Sequence, residues 1–185
     1  MKVWKKTNKG IVLLFILVVG VMIYCLADTA KFASRKQAAY DKAVAFTTDL
    51  SALYTWPKDM PKITVIDIEK NEKKYYPYLD AGLAKVKPYI FGSDQLSNEL
   101  KKDAMNYIKE LMLDDLKPEQ VTFTPAFTKT QVQKNTATVK GTINIKARLS
   151  DGKYKNKSLN CLIMLEYQND DWVVVYCSAA DEMYL

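Results

Sequence analysis

Two cysteines, one acid and a run of tyrosines are the side chains whose types and spacing could do chemistry in this chain. Cys161 and Cys177 flank the turn sequence Asn169-Asp170-Asp171. A hairpin register that pairs residue 161 with 177 sets them opposite each other as a disulfide. Registers shifted by one or two residues leave two small buried thiols instead, and both readings stand at this level. Glu166 alternates with Leu165 and Tyr167, beside Met164. Buried among apolar side chains, its carboxyl would have a raised pKa and could shuttle a proton; at a strand end near a turn it is simply solvated. Tyr75, Tyr76, Tyr78, Tyr89 and Phe91 either pack a connecting segment over the core or form a partner-binding patch, because tyrosine joins a large contact area to a polar tip. Glu110, Asp114 and Asp115 crowd a helix end, where the dipole opposes negative charge. They read as a solvated acidic terminus or as a small docking patch for a basic partner.

Histidine is absent, which removes the commonest general base, the commonest zinc ligand and every His-based triad. The chain also lacks a glycine-rich phosphate loop and a metal-ligand cluster, and no cofactor is expected. The formal charge of +6 resembles a nucleic-acid footprint until it is divided along the chain. Lys2, Lys5, Lys6 and Lys9 precede any acid, and the rest of the chain is left near +2. Lys73-Lys74 and Lys101-Lys102 are ordinary solvated pairs, so direct nucleic-acid contact is not expected.

The elements that position these residues begin with a membrane signal. Twelve of the seventeen residues from Ile11 to Ala27 are Leu, Ile, Val or Phe, and none is charged. Together they favour the bilayer by roughly 5 kcal/mol on an insertion scale. Leu13, Phe15, Leu17, Val19 and Ile23 are the expected anchor residues. Residues 1–10 form a basic cytoplasmic tail, 11–27 a single short span, and 28–185 an extracytoplasmic domain by the positive-inside rule. A cleaved signal peptide competes with a retained anchor, since Cys25 and Ala27 are small residues before Asp28. A lipoprotein is disfavoured by bulky Tyr24 ahead of Cys25.

Phe32, Ala39, Ala43, Phe46, Leu50 and Leu53 recur at sevens, fours and threes, predicting one long amphipathic helix that stops at Trp56-Pro57. The same stripe could form a seam between subunits. Residues 58–92 resist assignment: residues 63–68 have strand-like composition, and Leu79 to Val86 looks like a short helix between prolines. A second core helix follows, with Ser93 as N-cap and Leu96, Leu100, Ala104, Ile108, Leu111 and Met112 on one face. From Gln120 the period becomes two, predicting four antiparallel strands over residues 121–132, 137–149, 159–167 and 172–177. Leu162, Met164, Val173 and Val175 add a second apolar face to the last pair, which must be covered by sheet curvature, short segments or another subunit.

This order, closing on the strand Asp171-Trp172-Val173-Val174-Val175, resembles the nuclear-transport-factor-2-like superfamily, in which a curved four-stranded antiparallel sheet wraps a long helix as a cone. The implied class is α+β. Among membrane-anchored members the layout is similar to bitopic inner-membrane scaffold proteins of type IV secretion systems, especially those of Gram-positive conjugative transfer. The resemblance implies a non-enzymatic scaffold that oligomerises with itself and contacts other channel proteins and membrane lipid. Leu162, Met164, Val173, Val175, Tyr75 and Tyr76 are then the expected contact residues. A cell-envelope binding or sporulation-type module of the same fold is the alternative.

Overall fold

The computed structural model describes residues 9–61, 63–90, 94–112 and 116–180, with side chains from residue 16 onward except those of Met112 and Ala180. Helix α1 runs unbroken from Lys9 to Leu50, 42 residues and about 63 Å at 1.5 Å per residue. No proline precedes Pro57, so nothing in the chain removes a hydrogen bond from this ladder. Its N-terminal part is long and apolar enough to cross a membrane, with a mean hydropathy of 1.8 and none of that window buried. Its C-terminal part is different: Ala39, Ala43, Phe46 and Leu50 are at most 2% exposed, a stripe at spacings of four, three and four that fills the core. Phe32 was expected on the same stripe, but it stands 51% exposed, so core packing starts about two turns later, at Ala39. A 3-10 turn, Ser51–Tyr54, continues the helix and buries Leu53 and Tyr54.

Residues 63–68 do not form a strand. Thr64 and Asp67 close a capping box: Asp67 N donates to Thr64 Oγ1 at 3.2 Å, and Thr64 N donates to Asp67 Oδ2 at 2.9 Å. That reciprocal cap starts helix α2, Val65–Asn71, and overrides the β-branched composition. A 3-10 segment Glu72–Leu79 leads into helix α3, Asp80–Val86, close to the short helix expected there. A Cβ on Gly82 would lie 2.8 Å from Leu53 Cα, so α3 crosses the turn after α1 in near backbone contact. Helix α4, Asp94–Met112, buries Leu96, Leu100, Ala104, Ile108 and Leu111 as predicted, and Met105 with them. Ser93, the expected cap, and Asp114 and Asp115 lie outside the described residues, as do Phe91 and the side chains of Leu13 and Phe15.

Four strands then form an antiparallel meander in the order β1 (Pro118–Gln133), β2 (Thr136–Leu149), β3 (Tyr154–Gln168) and β4 (Asp171–Ala180). The fold is α+β with a curved sheet, the cone-like arrangement that the element order implied. Its curvature has local causes. β1 bulges between Phe127 and Lys129, and there β2 offers Gly141, where a Cβ would sit only 2.4 Å from Ala126 O. Only glycine admits that approach. The inner face, built from Val121, Phe123, Val139, Ile143, Ile163, Leu165 and Val174, closes over α1 and α4. Trp172 Nε1 donates to Arg35 O at 3.1 Å, and Lys42 pairs with Asp171, pinning the start of β4 to the middle of α1.

Candidate functional site

The 3-10 turn after α1, one flank of α4 and the concave side of the sheet enclose a cavity of about 230 Å³. Apolar walls come from Leu50, Leu100, Phe123, Ile143 and Leu159. The polar groups come from four elements: Tyr54 from the turn, Asp103, Asn106, Tyr107 and Glu110 from α4, Lys157 from β3 and Cys177 from β4. Tyr54 packs against Phe123 with ring centroids 4.9 Å apart and edge-on to Tyr107 at 5.6 Å. At the rim Lys157 lies 4.0 Å from Glu110.

Burial sets the protonation states. It lifts the Tyr54 phenol well above the ordinary range, and the negative charge of Asp103 adds to the effect. Tyr107 is pushed up to about 12 by burial and then by Glu110. Asp103 is itself raised, first by burial, with Lys102 pulling the other way. The Cys177 thiol is held up by its hydrogen bond with Cys161 and by burial, which disfavours the nucleophilic thiolate. At neutral pH the cavity therefore presents the Tyr54 and Tyr107 hydroxyls and the Cys177 thiol, with the Asn106 amide and the Lys157–Glu110 pair beside them, against an apolar wall. Such a site suits a compact molecule that joins an apolar body to a polar group.

Tyr54, Asp103 and Tyr107 were missed in the sequence because they come from different elements. The available signal was on α4, where Leu100, Asp103 and Tyr107 follow helical spacing along the edge of the buried stripe. Glu166 is not in the cavity: it lies on the outer face and accepts from Gln168 Nε2 at 2.9 Å. Tyr75 does not contribute to a surface patch either, since it is 5% exposed and belongs to the core. Tyr76 is half-buried and donates to Glu72 at 3.1 Å, so one of the two expected contact tyrosines retains some surface.

Cys161 and Cys177 are free thiols in a register other than the one that would set them opposite. Cys161 pairs with Ala179 and Cys177 with Ile163. The bulge between Met164 and Leu165 decides this. Extending the pairing Leu165↔Val174 without a slip would put Cys177 against Leu162 on the outer face; the one-residue slip turns it inward, diagonal to Cys161.

On the outer face Met164 is 42% exposed, opposite the exposed Tyr176, while Leu162, Val173 and Val175 are half-buried. Of the anchor residues, Leu17 and Ile23 are exposed and Val19 is half-exposed on the N-terminal part of α1. Among the described residues no cluster of acids and thiols is placed to hold a metal ion.

No family model matches this chain, and no curated protein does. Among solved structures it is similar to a nuclear-transport-factor-2-like protein of unknown function from Shewanella oneidensis, at 18% identity and a TM-score of 0.37, over 63% of this chain and 96% of that one. The intermembrane-space region of the chloroplast protein ARC6 superposes with a TM-score of 0.37 at 14% identity, over 66% of this chain and all of that one. The iota-carbonic anhydrase of a cyanobacterium, complexed with bicarbonate, gives 0.39 at 11% identity, over 81% and 93%. Superpositions this loose lend the chain no activity, ligand or partner.

Proposed function

We propose that this chain is a single-pass membrane protein, N-terminus cytoplasmic and α+β domain extracytoplasmic, that acts without catalysis as an assembly component of a membrane-spanning channel. The channel class we infer is type IV secretion, as in Gram-positive conjugative DNA transfer, with self-association and contact with other channel proteins as the mode of action. One observation carries the reading. Helix α1 leaves its exposed apolar segment and enters the core without a break, so the domain is a rigid extension of its anchor. A tethered enzyme needs only a flexible linker, whereas a part that must hold a fixed height and tilt beside its neighbours benefits from a continuous helix. Basic residues flank both ends of the span. The orientation rests on the four lysines of the ten-residue tail, against Lys31, Arg35 and Lys36 just beyond the span.

Cross-linking of the full-length protein in its native membrane, followed by mass spectrometry, tests this proposal. Recovery of the protein with itself and with a coupling or secretion ATPase supports it; recovery of a lone monomer overturns it. Met164→Lys places a charge on the exposed outer face and is expected to abolish the self-cross-link while leaving the domain folded. An unchanged cross-link would exclude that face as the contact.

The cavity favours a second reading, a cell-envelope binding module of the same fold. Its support is the neutral Tyr54 phenol facing an apolar space together with Asp103. Thermal-shift screening of apolar compounds bearing one acceptor separates the two readings: a stabilising hit lost in Tyr54→Phe points to ligand binding.

A further inference from the structure

A second concavity, far from the cavity in sequence and chemistry, lies between α1 and the β1–β2 turn. Its walls are Asp28, Lys31, Phe32 and Arg35 on the helix, with Val132 and Lys134 opposite. We infer that this groove binds the phosphate of an anionic lipid headgroup, an inference that rests on the reading of α1 as a membrane span.

Height above the bilayer supplies the first argument. The apolar run ends at Ala27, and at about 1.5 Å per residue Lys31 stands about 6 Å and Arg35 about 12 Å beyond it. The headgroup layer of one leaflet is about 5–8 Å thick, so the groove opens within it at Lys31 and rises about 4 Å above it at Arg35. Charge supplies the second. Three cations face one acid, and among the described residues neither Lys31 nor Lys134 is in an ion pair.

Preorganisation supplies the third. Arg35 is held over the Tyr167 ring at 4.7 Å, and its carbonyl accepts from Trp172 Nε1 at 3.1 Å. The turn that carries Lys134, with φ of 50°, is tied to β3 where Tyr167 N donates to Asn135 O at 2.8 Å. Phe32 stands exposed beside these cations, giving the mixed apolar and basic surface that suits the boundary between acyl chains and headgroups. The domain would then rest on lipid as well as hang from its span.

The full-length protein, reconstituted in phosphatidylcholine vesicles with or without phosphatidylglycerol, tests this inference. Resistance to alkaline extraction reports the span, and native mass spectrometry of the released protein counts retained phosphatidylglycerol. Lys31→Glu and Lys134→Glu are each expected to lower retention by at least roughly fivefold, the effect of losing one basic residue at a charged surface, with the added negative charge acting in the same direction. Lys153→Glu, on the β2–β3 turn away from the groove, should leave retention unchanged. Equal retention in the Lys31→Glu/Lys134→Glu double variant of an alkali-resistant protein overturns the lipid site and leaves the span standing. Extraction by alkali overturns the span itself and the lipid site with it. Displacement of the lipid by excess inorganic phosphate would reassign the groove to a free anion and overturn the lipid assignment.

Discussion

The two halves of helix α1 carry opposite lessons about hydrophobicity. The N-terminal half is the more apolar, yet Ile16, Leu17 and Leu26 are 60–70% exposed. The C-terminal half contains Lys42, Thr47 and Asp49, yet its stripe of Ala39, Ala43, Phe46 and Leu50 forms the centre of the core. Total apolarity measures how much a segment gains by leaving water. Periodicity says what it leaves water for: an all-round apolar helix suits lipid, and a one-sided helix suits a protein partner.

The largest expected effect breaks this comparison if the halves are alike. Phe46→Ala should lower the unfolding free energy of the domain by about 3–5 kcal/mol, the cost of a cavity at a fully buried aromatic site. Leu17→Ala should leave domain unfolding unchanged, because its side chain touches no part of the core. Denaturant unfolding of both variants in the same detergent, followed by Trp172 fluorescence, provides the check; a comparable loss in the two would mean that the apolar half also packs on the domain.

A smaller effect sharpens the comparison by asking what the buried half requires of the sheet. Gly141→Ala puts a methyl 2.4 Å from Ala126 O and should destabilise by about 1–3 kcal/mol, because the bulge that bends β1 has no room for it. A neutral result in thermal unfolding would show that the sheet can cover the helix without this close approach.

The smallest effects are pH-dependent and of opposite sign. Lys42 holds Asp171 below its ordinary range, so its contribution is present above about pH 4 and is lost as pH falls through the lowered value. Because Asp171 is largely exposed, the pair is worth at most about 1 kcal/mol. Asp103 behaves in reverse. Burial raises its pKa, so its contribution is complete below about pH 4 and is lost as pH rises through the raised value. Stability measured against pH should show Asp171→Asn losing the advantage of the wild type only above this range, and Asp103→Asn gaining on the wild type there. The same sign in both variants would mean that the tie to α1 and the cavity rim share one environment.

Much of the frame was legible because it is local. The α4 stripe follows helical spacing without interruption, and the β1–β2 and β3–β4 turns fall at Lys134 and at Asn169 and Asp170, all with positive φ. Where reading failed, two local signals competed. The β-branched run of residues 63–68 lost to the Thr64–Asp67 cap, and β3 begins at Tyr154 rather than near residue 159 because polar Lys155 and Asn156 still pair with β2. The cavity was not legible, since Tyr54 and Asp103 are 49 positions apart and neither carries a motif.

The sequence by itself determined the apolar segment, the helical stripe, the period-two strands and the loss of histidine chemistry, because each is a property of residue types at short spacing. Tertiary structure decided which way side chains face. A single bulge after Met164 turns Cys177 from the outer face to the inner one, the turn after α1 brings Tyr54 to α4, and the β1–β2 turn sets Lys134 across from Lys31. These placements depend on slips of one residue and on contacts between distant segments, whose energies are set only when the whole sheet has closed on its helices.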